Sequence, residues 1–377
     1  MNTQIPPKDS SASDARGDFA AVVRVLEDAI ASKAFPGCAF GVLADDEVLA
    51  ARALGHFTYE DTSPAVTAET VFDLASVSKV VATTAMAMLL HQRGTLNLDS
   101  RLGDFLPEFL NGRPPEDQAR KVTLRHLLAH NSGLPGYVEF FRTTTNPSEL
   151  LQACLQLPLE AEPGTRAEYS DPGFILLGKA LEASAGQTID SFAAREIFAP
   201  LAMKSTQYCP GPEVRETIPP TEEDTTFRHH RIQGEVQDEN AWVLGGVAGH
   251  AGLFSNVPDL LGFSAAILDS TSKRARSGER TNLFSSQTVQ LFAERQRPEG
   301  SSRAIGWDTP SKTSSSGSHF SPHSIGHLGF SGCSLWIDLD ARLAVVLLTN
   351  RTWPDRKSQL IRDIRPAFHN AIREALA

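Results

Sequence analysis

The stretch Ser76-Val77-Ser78-Lys79 opens an apolar run, Val80 to Leu90, that predicts a helix. Residues three apart lie on the same helix face, so the serine and the lysine are expected to be neighbours. A serine hydroxyl becomes a good nucleophile only when a base takes its proton. A lysine one turn away can be that base if burial lowers its pKa. The helix N-terminus also adds free N–H groups where an oxyanion would form.

The alternative interpretation is an ordinary helix start with a lysine at the surface. That alternative requires a polar face around Lys79. The neighbouring residues are apolar instead, with Phe72 and Leu74 before the serine and Val80 and Val81 after the lysine. The composition of this segment therefore favours a buried lysine, although a four-residue motif alone remains a hypothesis until its context is known.

The length and charge of the chain limit its class. At about 150 residues per domain, 377 residues indicate two domains or one large domain in two parts. The formal net charge of −10 argues against nucleic acid or an anionic membrane as the main partner. The expected partner is a small molecule or a peptide. The oligomeric state stays open.

Neither the cysteines nor the apolar runs indicate a special environment. The four cysteines are widely spaced and form no C-x-x-C pair, so reduced thiols packed in the core are expected: Cys38, Cys154, Cys209 and Cys333. Residues 1–17 are polar and are predicted to be disordered. They contain no apolar signal region, and no run approaches the roughly 20 apolar residues of a membrane span. The chain as written is expected in the cytoplasm, or in the periplasm or outside the cell if a leader was trimmed.

Hydrophobic periodicity predicts strands near both ends of the chain, with helices beside them. Consecutive strands joined by short turns indicate an antiparallel sheet. A proline inside the terminal helical pattern, Pro366, is expected to kink or interrupt it. The long polar segment 219–249 is expected to be an irregular loop, and two charged or serine-rich segments, 274–280 and 311–318, are expected to be exposed loops. The predicted strands are 38–43, 47–54, 335–339 and 343–349, and the predicted helices are 19–30, 80–90, 122–130, 173–185, 260–268 and 360–372.

Two further motifs carry possible chemistry. Tyr169-Ser170-Asp171 precedes a predicted helix, and the tyrosine could move protons if nearby cations lower its pKa. The plainer interpretation is a packing tyrosine followed by an N-cap, Asp171. His327-Leu328-Gly329-Phe330 precedes a strand, where the Phe330 N–H could be an oxyanion donor. The plainer interpretation is a glycine turn with an incidental histidine.

A metal site is not expected. His319, His323 and His327 recur every four residues, but serine, glycine and proline surround them and a strand follows. Ligand geometry would require the three residues to lie on a helix. No cofactor is predicted.

With these motifs in order, the chain resembles the serine β-lactamase and penicillin-binding-protein superfamily. The resemblance is to the branch of class C β-lactamases, family VIII esterases and D-stereospecific peptidases, and it extends from about Phe35 to Asn350. It implies that Ser76 attacks a carbonyl and forms an acyl-enzyme. It also implies that Lys79 and Tyr169 share the proton transfers.

The same resemblance assigns roles around the third motif. It implies that His327 lies beside Tyr169 and helps to hold the substrate. It implies an oxyanion hole made by the N–H groups of Ser76 and Phe330, with Gly329 allowing close approach. The helix that ends in Ser132-Gly133-Leu134 supports the resemblance.

Two departures from the family pattern bear on the substrate. Asp171 stands where asparagine is usual, so it is expected to keep Lys79 charged and to repel a carboxylate. His327 replaces the usual lysine and can lose its charge near neutral pH. The segment 234–255 also resembles bacterial hydrolases, some of which are linked to muropeptide recycling, so Asp238, Glu239 and His250 are candidates to line the pocket. The alternative is an ordinary glycine-rich loop.

These inferences predict an α/β fold, of the α+β kind, with an antiparallel sheet flanked by the N- and C-terminal helices. Residues 18–75 and 255–377 form the sheet domain, residues 76–254 form an inserted helical domain, and the site lies between them. The expected function is a serine hydrolase acting on small esters, amides or D-amino-acid peptides. The alternatives are a muropeptide amidase, a D,D-carboxypeptidase, a class C-like β-lactamase and a penicillin-binding receptor without turnover.

Overall fold

The computed structural model of the chain describes residues 17–270 and 283–377. Of the segment 1–17 that is predicted to be disordered, residues 1–16 lie outside the described residues, as does the exposed loop predicted at 274–280. Within the described ranges, no helix is long and apolar enough to cross a membrane.

The helices and strands follow the predicted order. The strands are β1 Gly37–Ala44, β2 Glu47–Gly55, β3 Phe72–Asp73, β4 Gln207–Tyr208, β5 Glu222–Glu223, β6 Arg231–Ile232, β7 Leu253–Ser255, β8 Ser324–Leu328, β9 Ser334–Asp338 and β10 Leu343–Thr349. The α-helices are α1 Ala20–Ala31, α2 Ala85–Gln92, α3 Leu102–Phe105, α4 Leu124–Leu128, α5 Pro147–Leu155, α6 Asp171–Ala185, α7 Ile189–Ala193, α8 Glu239–Val243, α9 Val257–Ser270, α10 Ser286–Ala293 and α11 Ile361–Ala375.

A five-stranded antiparallel sheet carries the fold, in the order β2-β1-β10-β9-β8. Strand β10 is buried along its whole length, which explains its unbroken apolar sequence. Helices α1 and α11 cover one face, where Phe40 meets Phe368 edge to face at 5.7 Å. Helix α9 covers the other face closely enough that a Cβ on Gly41 would lie 2.5 Å from Val257. The α/β sheet flanked by terminal helices is therefore confirmed.

Helix α11 differs from the prediction at one position. Pro366 lies inside a helix that continues from Ile361 to Ala375, so the predicted interruption is wrong. The apolar face of α11 compensates for the lost backbone hydrogen bond, because Phe368 and Ile372 are fully buried against the sheet.

The segment between the two parts of the sheet is mainly helical and also contains short strands. Strands β3, β7 and β4 form one small sheet, and β5 pairs with β6. The buried helix α6 packs beside the segment that ends in Gly249 and His250. This contact matters because His250 touches the predicted catalytic lysine.

The segment 219–249, predicted to be an irregular loop, contains the short strands β5 and β6 and the helix α8, and it is organised around a buried arginine. The Arg228 guanidinium donates to the carbonyls of Val236 and Gln237, each at 2.6 Å, and to Glu235 at 3.0 Å. Its side chain is almost completely buried. A buried cation with several acceptors fixes the main chain around it, so this polar segment has one defined path to Asp238.

We predict that Gly249→Ala destabilises the fold. A Cβ there would lie 2.2 Å from the carbonyl oxygen of Phe174, a backbone atom of α6. Overpacking of this kind costs roughly 1–3 kcal/mol, measurable as a lower free energy of unfolding in urea.

The matched control is Gly262→Ala in helix α9. A Cβ on Gly262 has a single neighbour, 3.9 Å away, so alanine fits and should add up to about 1 kcal/mol through helix propensity. Equal stability of the two variants would contradict the close packing of α6 against the loop that leads to His250.

Candidate active site

The serine and lysine of the first motif meet as predicted. Ser76 lies in a short 3-10 turn, Ala75–Val77, and Lys79 begins a π-helical turn, Lys79–Thr84, that leads into α2. The Lys79 Nζ lies 3.0 Å from the Ser76 Oγ. Lys79 is completely buried, whereas Ser76 is partly exposed to the cleft. The nucleophile candidate is thus accessible and its base candidate is not.

Three acceptors surround the Lys79 ammonium. Besides Ser76, its Nζ donates to the Asp171 Oδ1 at 2.6 Å and to the carbonyl oxygen of His250 at 2.8 Å. Burial alone would lower the pKa of Lys79, but the carboxylate of Asp171 and then Tyr169 outweigh it and raise the pKa. The lowered pKa that the Ser76 motif alone suggests for a buried lysine is therefore not found. The expectation that Asp171 keeps it charged agrees with this direction.

Asp171 is the first residue of helix α6. The N-cap is Ser170, whose Oγ accepts from the Gly173 N–H at 3.0 Å, so the interpretation of Asp171 as the N-cap is wrong. A carboxylate in the first turn is stabilised by the helix dipole. The start of α6 therefore positions and stabilises the anion that Lys79 requires.

Tyr169 lies between several cationic or aromatic groups. Its ring centroid is 4.9 Å from the Lys79 Nζ, 5.9 Å from the His327 ring and 4.6 Å from the His130 ring. Burial raises the pKa of Tyr169, and Lys79 offsets only part of that effect. The condition of a lowered pKa is therefore not met, and Tyr169 is a neutral phenol at neutral pH, suited to donate a proton.

His327 lies on the edge strand β8. Its Nδ1 is 2.8 Å from the carbonyl oxygen of Leu328, and its buried Nε2 has no partner among the described residues. Burial, followed by the charges of Lys79 and Arg303, lowers the pKa of His327 well below the usual value. The imidazole is therefore neutral at pH 7, which agrees with the loss of charge predicted from the sequence.

The turn after β8 is held from outside by two arginines. A Cβ on Gly329 would lie 2.4 Å from the Leu74 carbonyl oxygen, so only glycine fits. Arg365 donates to the carbonyl of Gly329 at 2.6 Å, and Arg351 donates to that of Phe330 at 2.7 Å. The Phe330 N–H has no acceptor among the described residues. It is therefore available to a ligand, as an oxyanion donor would be.

The 234–255 segment contributes a buried acid–histidine pair. The Asp238 Oδ1 lies 2.8 Å from the Nε2 of His250, and the backbone of His250 binds Lys79. Burial opposes ionisation of Asp238, but His250 outweighs it and the pKa of Asp238 falls to about 2. Asp238 and Glu239 line the cleft as predicted, whereas His250 lies behind it, next to the lining residue Ala251.

Sequence reasoning overlooked Asp73, which connects three parts of the site. Its two carboxylate oxygens accept from the N–H groups of Ala75 at 2.8 Å and Gln237 at 2.7 Å. Its carbonyl oxygen accepts from the Ser331 hydroxyl at 2.8 Å. Ala75 has a φ of 46°, a left-handed conformation next to Ser76 that this bond helps to hold. An acidic residue inside the apolar run before Ser76 was the available signal.

These groups share a cleft of about 750 Å³. That volume is within the usual range for small-molecule sites. The lining includes Ser76, Tyr137, Tyr169, Asp171, Asp238, Glu239, Arg303, His327, Gly329, Phe330, Arg351, Arg356 and Arg362. The structure thus brings the three sequence motifs together at one accessible surface.

The other two histidines of the four-residue repeat lie elsewhere. His319 is 3.5 Å from Glu374, and His323 is 2.9 Å from Asp340, both at the surface. Within residues 17–270 and 283–377, no group of three or more potential metal-ligating side chains occurs.

Comparison with known proteins identifies the family. The beta-lactamase family model matches residues 22–366. The N-acetylmuramyl-L-alanine amidase of Bacillus subtilis (strain 168) is 30% identical in an alignment 365 positions long, which covers 88% of this chain and 80% of that protein. A putative D-alanyl-D-alanine carboxypeptidase of Escherichia coli (strain K12) is 28% identical, over 84% of this chain and 79% of that protein. The class C beta lactamase of Rhodobacter sphaeroides has the same fold, with a TM-score of 0.71 at 20% identity, over 95% and 99% of the two chains.

We predict that Asp171→Asn moves the pH dependence of Ser76 reactivity to lower pH. Asp171 is the strongest group that raises the pKa of Lys79, so its removal favours the neutral amine. If neutral Lys79 is the base, the rising limb of the pH–rate profile shifts towards acid. The measurement is the rate of labelling by a fluorophosphonate between pH 5 and pH 10.

Glu168→Gln is the matched control, because Glu168 also lines the cleft but makes no contact with Lys79. It should leave the profile in place. An Asp171→Asn profile identical to that of the wild type would exclude Lys79 as the group that sets the rising limb.

Proposed function

The chain belongs to the beta-lactamase family of serine hydrolases, and we propose that it cleaves an amide bond in muropeptides through an acyl-enzyme on Ser76. One observation carries the catalytic part of the proposal, namely the 3.0 Å contact between the Ser76 Oγ and the buried Lys79 Nζ. That contact supports proton transfer from the accessible Ser76 hydroxyl to Lys79, which nucleophilic catalysis requires. Tyr169 and His327 complete the proposed site.

Acylation begins from the minor fraction of the enzyme in which Lys79 is neutral, a fraction that Asp171 keeps small. As the Ser76 oxygen attacks the carbonyl carbon, its proton passes to the Lys79 amine, and a tetrahedral oxyanion forms. Tyr169 then donates its phenolic proton to the leaving nitrogen, the C–N bond breaks, and the Lys79 ammonium returns a proton to Tyr169. The raised pKa of Tyr169 fits its role, because the phenol stays protonated until the amine departs. The raised pKa of Lys79 makes it a strong proton acceptor once neutral, but limits the fraction of the enzyme that is ready to react.

The oxyanion is assigned to the N–H groups of Ser76 and Phe330. Ser76 lies in the first turn of a helical segment, where N–H groups have no intrahelical acceptor. The turn at Phe330 is fixed by Arg351 and Arg365, so its N–H needs little reorganisation as charge develops. Water then hydrolyses the acyl-enzyme, with Lys79 again as the proton acceptor.

The amidase relative supports the choice of muropeptides. Its match covers most of both chains at 30% identity and includes the region of Asp238 and His250. In this proposal the acyl group is that of N-acetylmuramic acid and the leaving group is the amine of L-alanine. The cleft of about 750 Å³ has room for both parts.

A D,D-carboxypeptidase is the second candidate, because several relatives carry that name. The neutral His327 leaves the third motif without its cation, so a D,D-peptide, like a muramyl amide, would depend on another cation of the cleft to bind its carboxylate. A class C-like β-lactamase, a small-ester hydrolase and a receptor without turnover remain as outcomes of the tests below. The proposed substrate implies that the protein acts either at the cell wall or in the compartment where imported wall fragments are degraded.

We predict that Ser76→Ala abolishes covalent labelling by a fluorophosphonate, a loss of roughly 100-fold or more, because Ser76 supplies the accessible aliphatic hydroxyl 3.0 Å from Lys79. Intact-mass spectrometry measures the loss.

Ser78→Ala is the matched control, since the Ser78 hydroxyl is buried and binds the carbonyl of Ala75 at 2.6 Å and the N–H of Leu253 at 3.0 Å. Ser78→Ala should label like the wild type but lose roughly 1–3 kcal/mol of stability. Labelling that persists in Ser76→Ala would refute the assignment of the nucleophile.

A substrate comparison tests the muropeptide proposal. N-acetylmuramyl-L-alanine, a peptide ending in D-alanyl-D-alanine, nitrocefin and p-nitrophenyl acetate are compared on one preparation, with Ser76→Ala as the blank. We expect the muramyl amide to have the highest kcat/KM among the amides. Faster hydrolysis of the D,D-peptide or of nitrocefin would replace the proposal by the corresponding alternative, and acylation without turnover would favour the receptor.

A further inference from the structure

Arg303 belongs to none of the three sequence motifs but lies beside them in space. Asp308 pairs with Gly326 of strand β8 through two backbone hydrogen bonds, 2.8 and 2.9 Å long. Arg303 in turn forms an antiparallel bridge with Asp308. The two residues therefore extend the edge of the main sheet next to His327. This arrangement fixes the main chain of Arg303 at the cleft wall.

The positive charge of the Arg303 guanidinium has few polar or acidic partners within the protein. It donates no hydrogen bond to any described residue, and its one ion pair there is with Asp308, where the closest nitrogen and oxygen are 3.7 Å apart. Its Cζ lies 5.3 Å from the ring centroid of Tyr169, and its side chain is 23% exposed. A fork of five N–H donors thus lines the cleft with its donors unused.

Apart from Arg362, which lies on helix α11, the other cationic groups of the cleft are already engaged. Lys79 is bound by Asp171, and Arg356 is bound by Glu222 and Glu239. Arg351 and Arg365 donate to main-chain carbonyls around the turn at Phe330.

The histidines near Arg303 add no charge. Burial keeps the pKa values of His130 and His327 well below the usual value, and the charge of Arg303 acts in the same direction. Between Tyr169 and His327, Arg303 is therefore the group that carries an available positive charge.

We infer that Arg303 binds a carboxylate on the leaving group of the substrate, replacing the charge that His327 lacks. The inference rests on the proposed function, in which Tyr169 protonates the leaving nitrogen. A cation above the Tyr169 ring then faces the leaving-group side of the scissile bond. A planar guanidinium binds a carboxylate through two parallel hydrogen bonds. L-Alanine, as a leaving group, carries such a carboxylate next to its nitrogen.

Two matched esters test this assignment without relying on muropeptides. The probes are the acetyl esters of 3-hydroxybenzoic acid and of 3-hydroxybenzamide, which differ in whether the leaving group bears a carboxylate or a neutral carboxamide. The readout is the ratio of kcat/KM for the two esters, so intrinsic ester reactivity cancels between variants. We expect Arg303→Gln to lower this ratio about tenfold or more, mainly through KM, and Arg303→Lys to restore part of it.

Arg362→Gln is the control, because Arg362 is another exposed arginine that lines the cleft and has no ion pair among the described residues. It should leave the ratio within about twofold of the wild type. An equal loss for both esters in Arg303→Gln would overturn the inference, as would a selective loss in Arg362→Gln.

The two proposals fail in different ways. If muramyl amides are not hydrolysed but the ester ratio responds to Arg303, the muropeptide assignment fails and the carboxylate site stands. If the wild type turns over neither ester, binding is compared instead by competition with the fluorophosphonate. The measured quantity is then the concentration of each ester that halves the rate of labelling. An unchanged ratio of these concentrations in Arg303→Gln also overturns the inference.

Discussion

The buried ion pair between Lys79 and Asp171 is the constraint on which the site depends. A fully buried ammonium is costly unless acceptors surround it, and removing one partner of such a pair typically costs roughly 3–5 kcal/mol. The acceptors of Lys79 come from distant parts of the chain: the turn at Ser76, the start of α6 and the backbone of His250. The requirement to satisfy one charge therefore fixes three segments relative to one another.

The glycine contacts show how closely those segments must approach. A Cβ on Gly178 would lie 2.9 Å from the Cα of Gly249, so helix α6 and the chain before His250 touch through their backbones. Thr83, on the turn that begins with Lys79, donates to the Gly249 carbonyl at 2.6 Å. The carbonyl of His250 reaches Lys79 because neither glycine has a side chain. The close backbone packing at the two glycines and the need to satisfy the charge of Lys79 thus fix the same arrangement of the three segments.

The features that could be predicted from the sequence are those with a local signature. Strand β10 has a continuous apolar run, and the Ser76 motif stands at the start of an apolar helical pattern. Features that arise from contacts distant in sequence could not be predicted in this way. The uninterrupted helix at Pro366 depends on burial of its apolar face against the sheet, which local propensity does not describe. Arg228 carries no motif, and its role follows from carbonyls that surround it only in the folded chain.

The same distinction applies to charge. Three residues from the sequence motifs have protonation behaviour that follows from folding: Lys79 keeps its proton because Asp171 lies at 2.6 Å, while burial keeps His327 and Tyr169 neutral. A sequence comparison would treat the change from lysine to histidine in the third motif as the loss of a cation. In the folded protein a second segment, linked to β8 through Asp308, brings Arg303 to the same part of the cleft. The net charge of a site is a property of its three-dimensional neighbourhood, so a substitution in one motif can be compensated by a residue that no motif contains.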